Sequence, residues 1–317
     1  MVTYLLKRLL LMIPTLLGVA LLVFFMLRVL PGDIVEIKLS ADGAVVSQQA
    51  LEAERARLGL DKPLAAQLGD WLVGLTTGDL GRSMWTNRPV YDEIATRLPL
   101  TFQVALMATV IAVFVALPMG TLSALYRGSW LDYTLRIVTM AGLAVPSFWL
   151  GMLVIMMLLL WFDWLPPLGY KPFWEDPIAN ISLLIWPALV IGIRYSAVVA
   201  RMMRSSIIEV MQEDYIRTAR AKGLFERVVV ARHAMRNAML PTITVVGLEF
   251  AFLLGGLVVT EQVFNLNGIG RLFVQAAANN DFTLIQGIVM LIALIFVMIN
   301  LLIDVLYALL DPRIRFQ

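Results

Sequence analysis

The chain contains no cysteine, and His233 is the single histidine among its 317 residues. Without thiols there is no disulfide, no thiolate metal site and no cysteine nucleophile, and one imidazole cannot build a multi-histidine metal centre. Charge is also scarce: 15% of the residues are Asp, Glu, Lys or Arg, where soluble domains average about 25%. The GxxxxGK[ST] phosphate loop is missing, as is any Gly-Lys pair, so the chain does no nucleotide chemistry by that route. Gly268-Ile269-Gly270 lacks the third glycine of a dinucleotide fingerprint and follows no predicted strand. The net charge of +2 gives no global attraction to nucleic acid.

What is present is apolar. Hydrophobic residues make up 60% of the chain, gathered into runs that exceed the roughly 18 residues needed to cross a bilayer as a helix. Six such segments are read at about Leu9–Leu30, Leu100–Leu125, Leu135–Trp161, Ile181–Val199, Leu240–Val259 and Leu284–Leu309. The first follows Lys7 and Arg8 but is longer than the apolar core of a signal peptide and precedes no small-x-small cleavage pattern, so it is read as a retained helix. Pro146 falls inside the third segment, where a proline is expected to kink the helix. Trp161, Trp164, Trp174 and Trp186 bracket the connection after that segment and read as interfacial anchors. His233 and the scattered methionines read as packing residues rather than as a proton relay or a thioether track.

Basic residues in short loops stay on the cytoplasmic side. Lys7 and Arg8 precede the first segment, Arg127 and Arg136 flank the second connection, Arg313 and Arg315 lie in the tail, and eight Lys or Arg crowd Arg201–Arg236. The third connection has only Lys171 among Asp163, Glu175 and Asp176, and the fifth only Arg271. Both termini are therefore expected inside, and the long connection Pro31–Arg97 outside. That connection reads as a small helical cap: a helix over Gln48–Leu58, a second begun by Pro63, a glycine turn in GDLGRS (Gly78–Ser83) and a short helix near Pro89–Thr96.

In the fourth connection, Ile208, Met211, Tyr215 and Ala219 recur at helical spacing from Ser205 to Lys222, and Gly223 stands where a helix C-terminus favours positive φ. A second amphipathic stretch runs from Phe225 through Val228, Val229 and Met235 toward Pro241. Two readings follow from these residues alone. One is a protrusion that docks a cytoplasmic partner; the other is a basic helix pair lying on anionic lipid.

RTARAKG (Arg217–Gly223) followed by RHAMRNAMLP (Arg232–Pro241) resembles the cytoplasmic coupling loop of ABC importer permeases of the dipeptide/oligopeptide/nickel branch. LLKRLLLMIPTLLGV (Leu5–Val19), GLDKP (Gly59–Pro63), GDLGRS, RLPLT (Arg97–Thr101), RGSWLD (Arg127–Asp132), VPSFWLG (Val145–Gly151), GIGRL (Gly268–Leu272) and DPRIR (Asp311–Arg315) resemble the same branch, in the same order. The widely shared coupling motif opens with Glu-Ala-Ala, where this chain has Arg217, Thr218 and Ala219, and the stretch from Gly223 to Pro241 is longer than the general pattern.

The resemblance implies an all-α integral membrane fold of six transmembrane helices with cytoplasmic termini. It would comprise a terminus and first helix (1–30), an external helical segment (31–97), a core domain (98–309) carrying a coupling loop (205–236), and a tail (310–317). It implies one permease of a multi-pass importer in a bacterial inner membrane, carrying short peptides, or in alternative nickel complexes, glutathione or another small solute. Implied partners are a second, similar permease, two ATPase subunits that bind ATP and magnesium, and an extracytoplasmic solute-binding protein; the chain itself would bind no cofactor. Asp214, Tyr215, Arg217, Thr218, Ala219, Arg220, Ala221, Lys222, Gly223 and Leu224 would meet the ATPase. An ion-driven carrier would instead call for internal repeats and several intramembrane acids, and only Glu249 lies deep.

Charges deep in spans normally face a partner or a watery cavity. Arg194 and Glu249 sit at similar depths in the fourth and fifth segments. They are expected to face the translocation side, pairing with each other or touching the passing substrate, unless they form a structural pair or meet the second permease.

Overall fold

The computed structural model describes residues 2–29, 35, 36, 47–167 and 169–310. Among these the chain is helical, with an isolated antiparallel bridge from Arg82 to Pro89 and no strand. Residue 30 of the expected first helix, residues 31–34 and 37–46 of the expected external connection, and the DPRIR motif of the tail lie outside the described residues.

Among the described residues, five stretches are long and apolar enough to cross a membrane: Leu6–Leu27, Val90–Leu125, Pro177–Val210, Glu226–Gly255 and Phe282–Tyr307. The third segment read from the sequence is not one kinked helix. It is two, Trp130–Ala144 and Ser147–Phe162, bent by 95°. Val145 takes the extended conformation (φ −79°, ψ 125°) that a following proline imposes, and Pro146 (φ −63°, ψ 135°) starts the second helix instead of kinking the first. Pro14, Pro118, Pro187 and Pro241, by contrast, lie inside continuous helices.

The chain divides into two compact units. The first comprises residues 1–99 and 268–297. It contains α1 (Val2–Val29), α2 (Gln48–Arg57), α3 (Leu64–Thr77) and α4 (Val90–Ala95). Its core sets Val23 and Leu27 of α1 with Val90 and Ile94 of α4 and with Ile269, Leu272, Leu284 and Ile288 from the later segment. Ser47 caps α2 by accepting from the Ala50 amide, and Pro63 precedes α3. Gly78 (φ 78°) and Gly81 (φ 79°) supply the left-handed turns that GDLGRS requires. Asp281, 1% exposed, accepts hydrogen bonds from the Ser83 hydroxyl and from the Met84 and Leu284 amides, so that loop is pinned to the start of the last long helix.

The second unit comprises residues 100–267 and 298–317. Its long elements are α5 (Leu98–Leu125), α6 (Trp130–Ala144), α7 (Ser147–Phe162) and α8 (Pro177–Val210). Small residues let backbones approach in a membrane helix pair, and α5 shows them in one buried stripe: Ala105, Ala108, Ala112, Ala116 and Gly120. A Cβ on Gly120 would lie 2.6 Å from the Ala200 carbonyl oxygen, and one on Gly192 would lie 2.8 Å from that of Ala108, so α5 and α8 meet backbone to backbone. Asp176 caps α8 by accepting from the Ala179 amide at 3.1 Å; that bond, followed by the Lys171 ammonium, holds its carboxyl below the usual carboxylate range. Of the tryptophans read as interfacial anchors, Trp164 and Trp186 meet edge-on at 6.2 Å, while Trp161 and Trp174 are exposed.

Candidate functional site

The loop after α8 is built differently from the single helix expected over Ser205–Lys222. α8 continues to Val210, so Ser205 lies within it. A turn at Met211–Glu213 then breaks the chain before α9 (Asp214–Ala221). Glu213 is extended (φ −69°, ψ 147°) and starts α9 afresh. The break also resets the buried face. Ile208 and Met211 pack with Met203, Ile207 and Ala238, whereas α9 buries Ile216 and Ala219 against Val229 and Ala234. Tyr215, read as part of the apolar face, is instead exposed, and its hydroxyl accepts from Asn237 Nδ2 at 2.7 Å.

α9 ends as the glycine predicted. Gly223 takes φ 77°. Its amide donates to the Arg220 carbonyl, and the Leu224 amide donates to that of Ala219, the paired bonds of a Schellman stop. Arg220 reaches across this corner and grips Glu226 through Nε at 3.1 Å and Nη2 at 2.6 Å, and that contact raises the guanidinium's affinity for its proton. Asp214 and Arg217 form an ion pair on the outer face.

Beyond the corner come a short α10 (Glu226–Val228), a π-helical turn (Val229–Ala234) and α11 (Met235–Gly256). The π turn feeds Val229 and Ala234 into the core under α9, so the two arms of the corner are packed on each other. Sequence reading missed that turn, because periodicity at 3.6 residues does not report a local change to wider hydrogen bonds. At the tip, Leu224 is 40% and Phe225 83% exposed, between the exposed cations Lys222 and Arg227. Phe225 lies just past the residues singled out, Asp214–Leu224. An apolar knob ringed by charge thus stands on a corner closed by its own core.

A second constellation went unrecognised in the sequence because its members are far apart. Asp132, 1% exposed, opens α6, where Ser129 caps the helix by accepting from its amide. Its carboxylate accepts from Ser123 Oγ at 2.6 Å and the Gly128 amide at 3.0 Å, and from Arg204 Nε and Nη2, both at 2.9 Å. This bidentate pair ties the turn between α5 and α6 to α8, two helical turns before the loop begins. RGSWLD announces the turn and its cap; nothing local announces Arg204.

Arg194 and Glu249 are both half-buried. They lie close enough to feel each other's charge, but no ion pair within 4 Å joins them. Glu249 lines a narrow cleft with Thr109, Tyr195, Val246 and Leu253, between α5, α8 and α11. Of the alternatives read from sequence, the direct pair is therefore not formed.

Residues 116–316 match the family described as binding-protein-dependent transport system inner membrane component, and residues 1–105 match the N-terminal family of such membrane components. Over all 317 residues of both chains, this one is 43% identical to a protein of Brucella abortus (strain 2308) named as a peptide transport system permease protein. Identity is 42%, again over the full length of both, to the glutathione transport system permease proteins of Pectobacterium atrosepticum and Escherichia coli (strain K12). A solved structure of an amino acid ABC transporter aligns with a TM-score of 0.44 at 17% identity, covering 77% of this chain and 98% of that one. The protein is thus a multi-pass permease subunit of an ABC importer, a transport component and not a catalytic enzyme. It belongs to the binding-protein-dependent transport system inner membrane component family.

Proposed function

We propose that this chain forms half of the pathway by which an ATP-driven importer brings short peptides across a bacterial inner membrane. The supporting observation is full-length identity of 43% to a permease named for peptide transport. Identity of 42% to permeases named for glutathione, itself a tripeptide, keeps that solute within the same reading. Six spans, the bent pair α6–α7 counting as the third, put both termini on one side of the membrane, and the basic short loops favour the cytoplasm for that side. The segment 31–97 caps the external face, 98–309 is the core domain, and 310–317 is a cytoplasmic tail. A second permease completes the pathway, an external solute-binding protein delivers the peptide, and two ATPase subunits bind ATP and magnesium.

The corner from Asp214 to Leu224 seats in a groove of an ATPase subunit. Leu224 extends the apolar contact of Phe225, and Tyr215, Arg217, Thr218, Arg220, Ala221 and Lys222 present the exposed polar face of α9 around it. Ala219 faces inward and keeps the corner closed. When the ATPases close on nucleotide, a corner this tightly packed moves as one piece and transmits the motion to α8 and α11.

Reconstitution of the complete importer with its solute-binding protein tests the reading. ATP-dependent uptake of labelled di- and tripeptides into proteoliposomes is expected, with glutathione and nickel chelates as competitors. Uptake of nickel with no peptide competition removes the peptide assignment. Arg194 and Glu249 belong to the pathway in this proposal, Glu249 through the cleft beside Tyr195. Glu249→Gln should then change peptide uptake at an unchanged amount of assembled complex; a variant that only fails to assemble shows a structural residue.

A further inference from the structure

We infer that the cleft between α6 and α8 binds the phosphate of an anionic phospholipid headgroup. Arg136 of α6 and Arg201 of α8 line one shallow cleft with Thr139, Ser123 and Arg204. Arg204 is spoken for by Asp132. Arg136 and Arg201 are exposed, and among the described residues no ion pair or side-chain hydrogen bond engages either. Two guanidinium groups in a cleft whose lining holds no carboxylate leave ten N–H donors for an outside acceptor. A phosphate diester meets that need.

The flanking surface says where that phosphate comes from. On α6, Trp130 is 77% and Tyr133 56% exposed, then Arg136 follows, then Ile137 at 67% and Met140 at 62%. One helix face therefore passes from amphipathic aromatics through a cation to bare aliphatic carbon within three turns. Aromatic side chains of this kind settle at headgroup level, and aliphatic ones beside acyl chains. A soluble anion would have no use for the apolar half. Basic pockets between membrane helices on the cytoplasmic side are suited to anionic headgroups. The buried Asp132–Arg204 pair fixes the spacing of α6 and α8 at this point, so an occupied cleft reinforces the clamp that leads into the coupling loop. The inner-leaflet placement rests on the orientation proposed above.

Native mass spectrometry of the assembled importer, titrated with phosphatidylglycerol or with phosphatidylcholine of the same chains, reads the site. The wild-type complex should retain phosphatidylglycerol preferentially. Arg136→Gln and Arg201→Gln should each weaken that retention about fivefold, and the double variant about thirtyfold, from the contribution of one arginine near an anionic surface. The same spectra report whether each variant still assembles, and the single variants serve if the double one does not. Equal phosphatidylglycerol retention by wild-type and variant complexes overturns the proposal. So does glycerol phosphate binding as tightly as the lipid, which would make the cleft a site for a soluble anion. Labelling of Arg127→Cys, an exposed position in the turn between α5 and α6, by an impermeant thiol reagent in sealed right-side-out vesicles reports the side separately. Labelling from outside overturns the inner-leaflet assignment while leaving the lipid measurement readable.

Discussion

At Gly223 a Cβ would meet nothing within 4 Å, yet φ is 77°, so the constraint is backbone conformation and not space. An ordinary side chain in that left-handed region costs about 1–2 kcal/mol, while asparagine tolerates it. Gly223→Glu adds a charge beside the exposed Leu224–Phe225 knob as well. The expected outcome is ATP hydrolysis that persists without peptide uptake, in a complex whose membrane helices insert normally. Gly223→Asn should retain more uptake than Gly223→Ala, and wild-type uptake by the glutamate variant would remove the coupling role. Asp132 presents the opposite case, a residue whose importance is entirely in its partners. Removing one member of a buried ion pair costs about 3–5 kcal/mol because the other charge is stranded, whereas replacing both by apolar groups is often neutral. Asp132→Ala should therefore lower the thermal stability of the assembled complex more than Asp132→Ala/Arg204→Met does. Additive losses in that double-mutant comparison would mean the two side chains do not depend on each other.

Among elements, α5 and α8 show the constraint that small residues impose. Their backbones touch at Gly120 and Gly192, and overpacking such a contact costs about 1–3 kcal/mol. Gly120→Val should lower the yield and melting temperature of the complex, while Gly142→Val on α6, where a Cβ meets nothing within 4 Å, should leave both near wild type. Equal effects at the two positions would show that residue type, not the α5–α8 approach, is being measured. Several helix starts and stops were legible from local chemistry: Pro63 before α3, the glycine turn at Gly78 after it, Gly223 after α9. Two element boundaries were not. The break at Met211–Glu213 lies in a stretch whose apolar residues fit one helical face on paper; it falls where the core around Met203 gives way to the one around Ile216, with Met211 packed against both. At Pro146 the sequence showed a proline in an apolar run; whether such a proline kinks or breaks a helix depends on what its flanks pack against.

For the molecule as a whole, the side of the membrane on which each segment lies follows from the proposed orientation. Cysteines introduced at Gln48 and Asn87, both exposed, should react with an impermeant reagent in intact spheroplasts; reaction only after lysis reverses the topology. The sequence by itself determined the class of this protein. Apolar runs of membrane length, basic short loops and the absence of thiols and phosphate loops are one-dimensional properties, and the ordered motifs carry the likeness to importer permeases without reference to any contact. The tertiary structure decided how distant residues are used. Arg204 counts in sequence only as one more loop cation; in the fold it lies within α8 and grips Asp132, 72 positions earlier. Arg194 and Glu249, at matched depth by residue count, interact through space without forming a contact ion pair. Depth along a helix can be counted from a sequence, but azimuth around it depends on neighbours, and azimuth settles which charges meet.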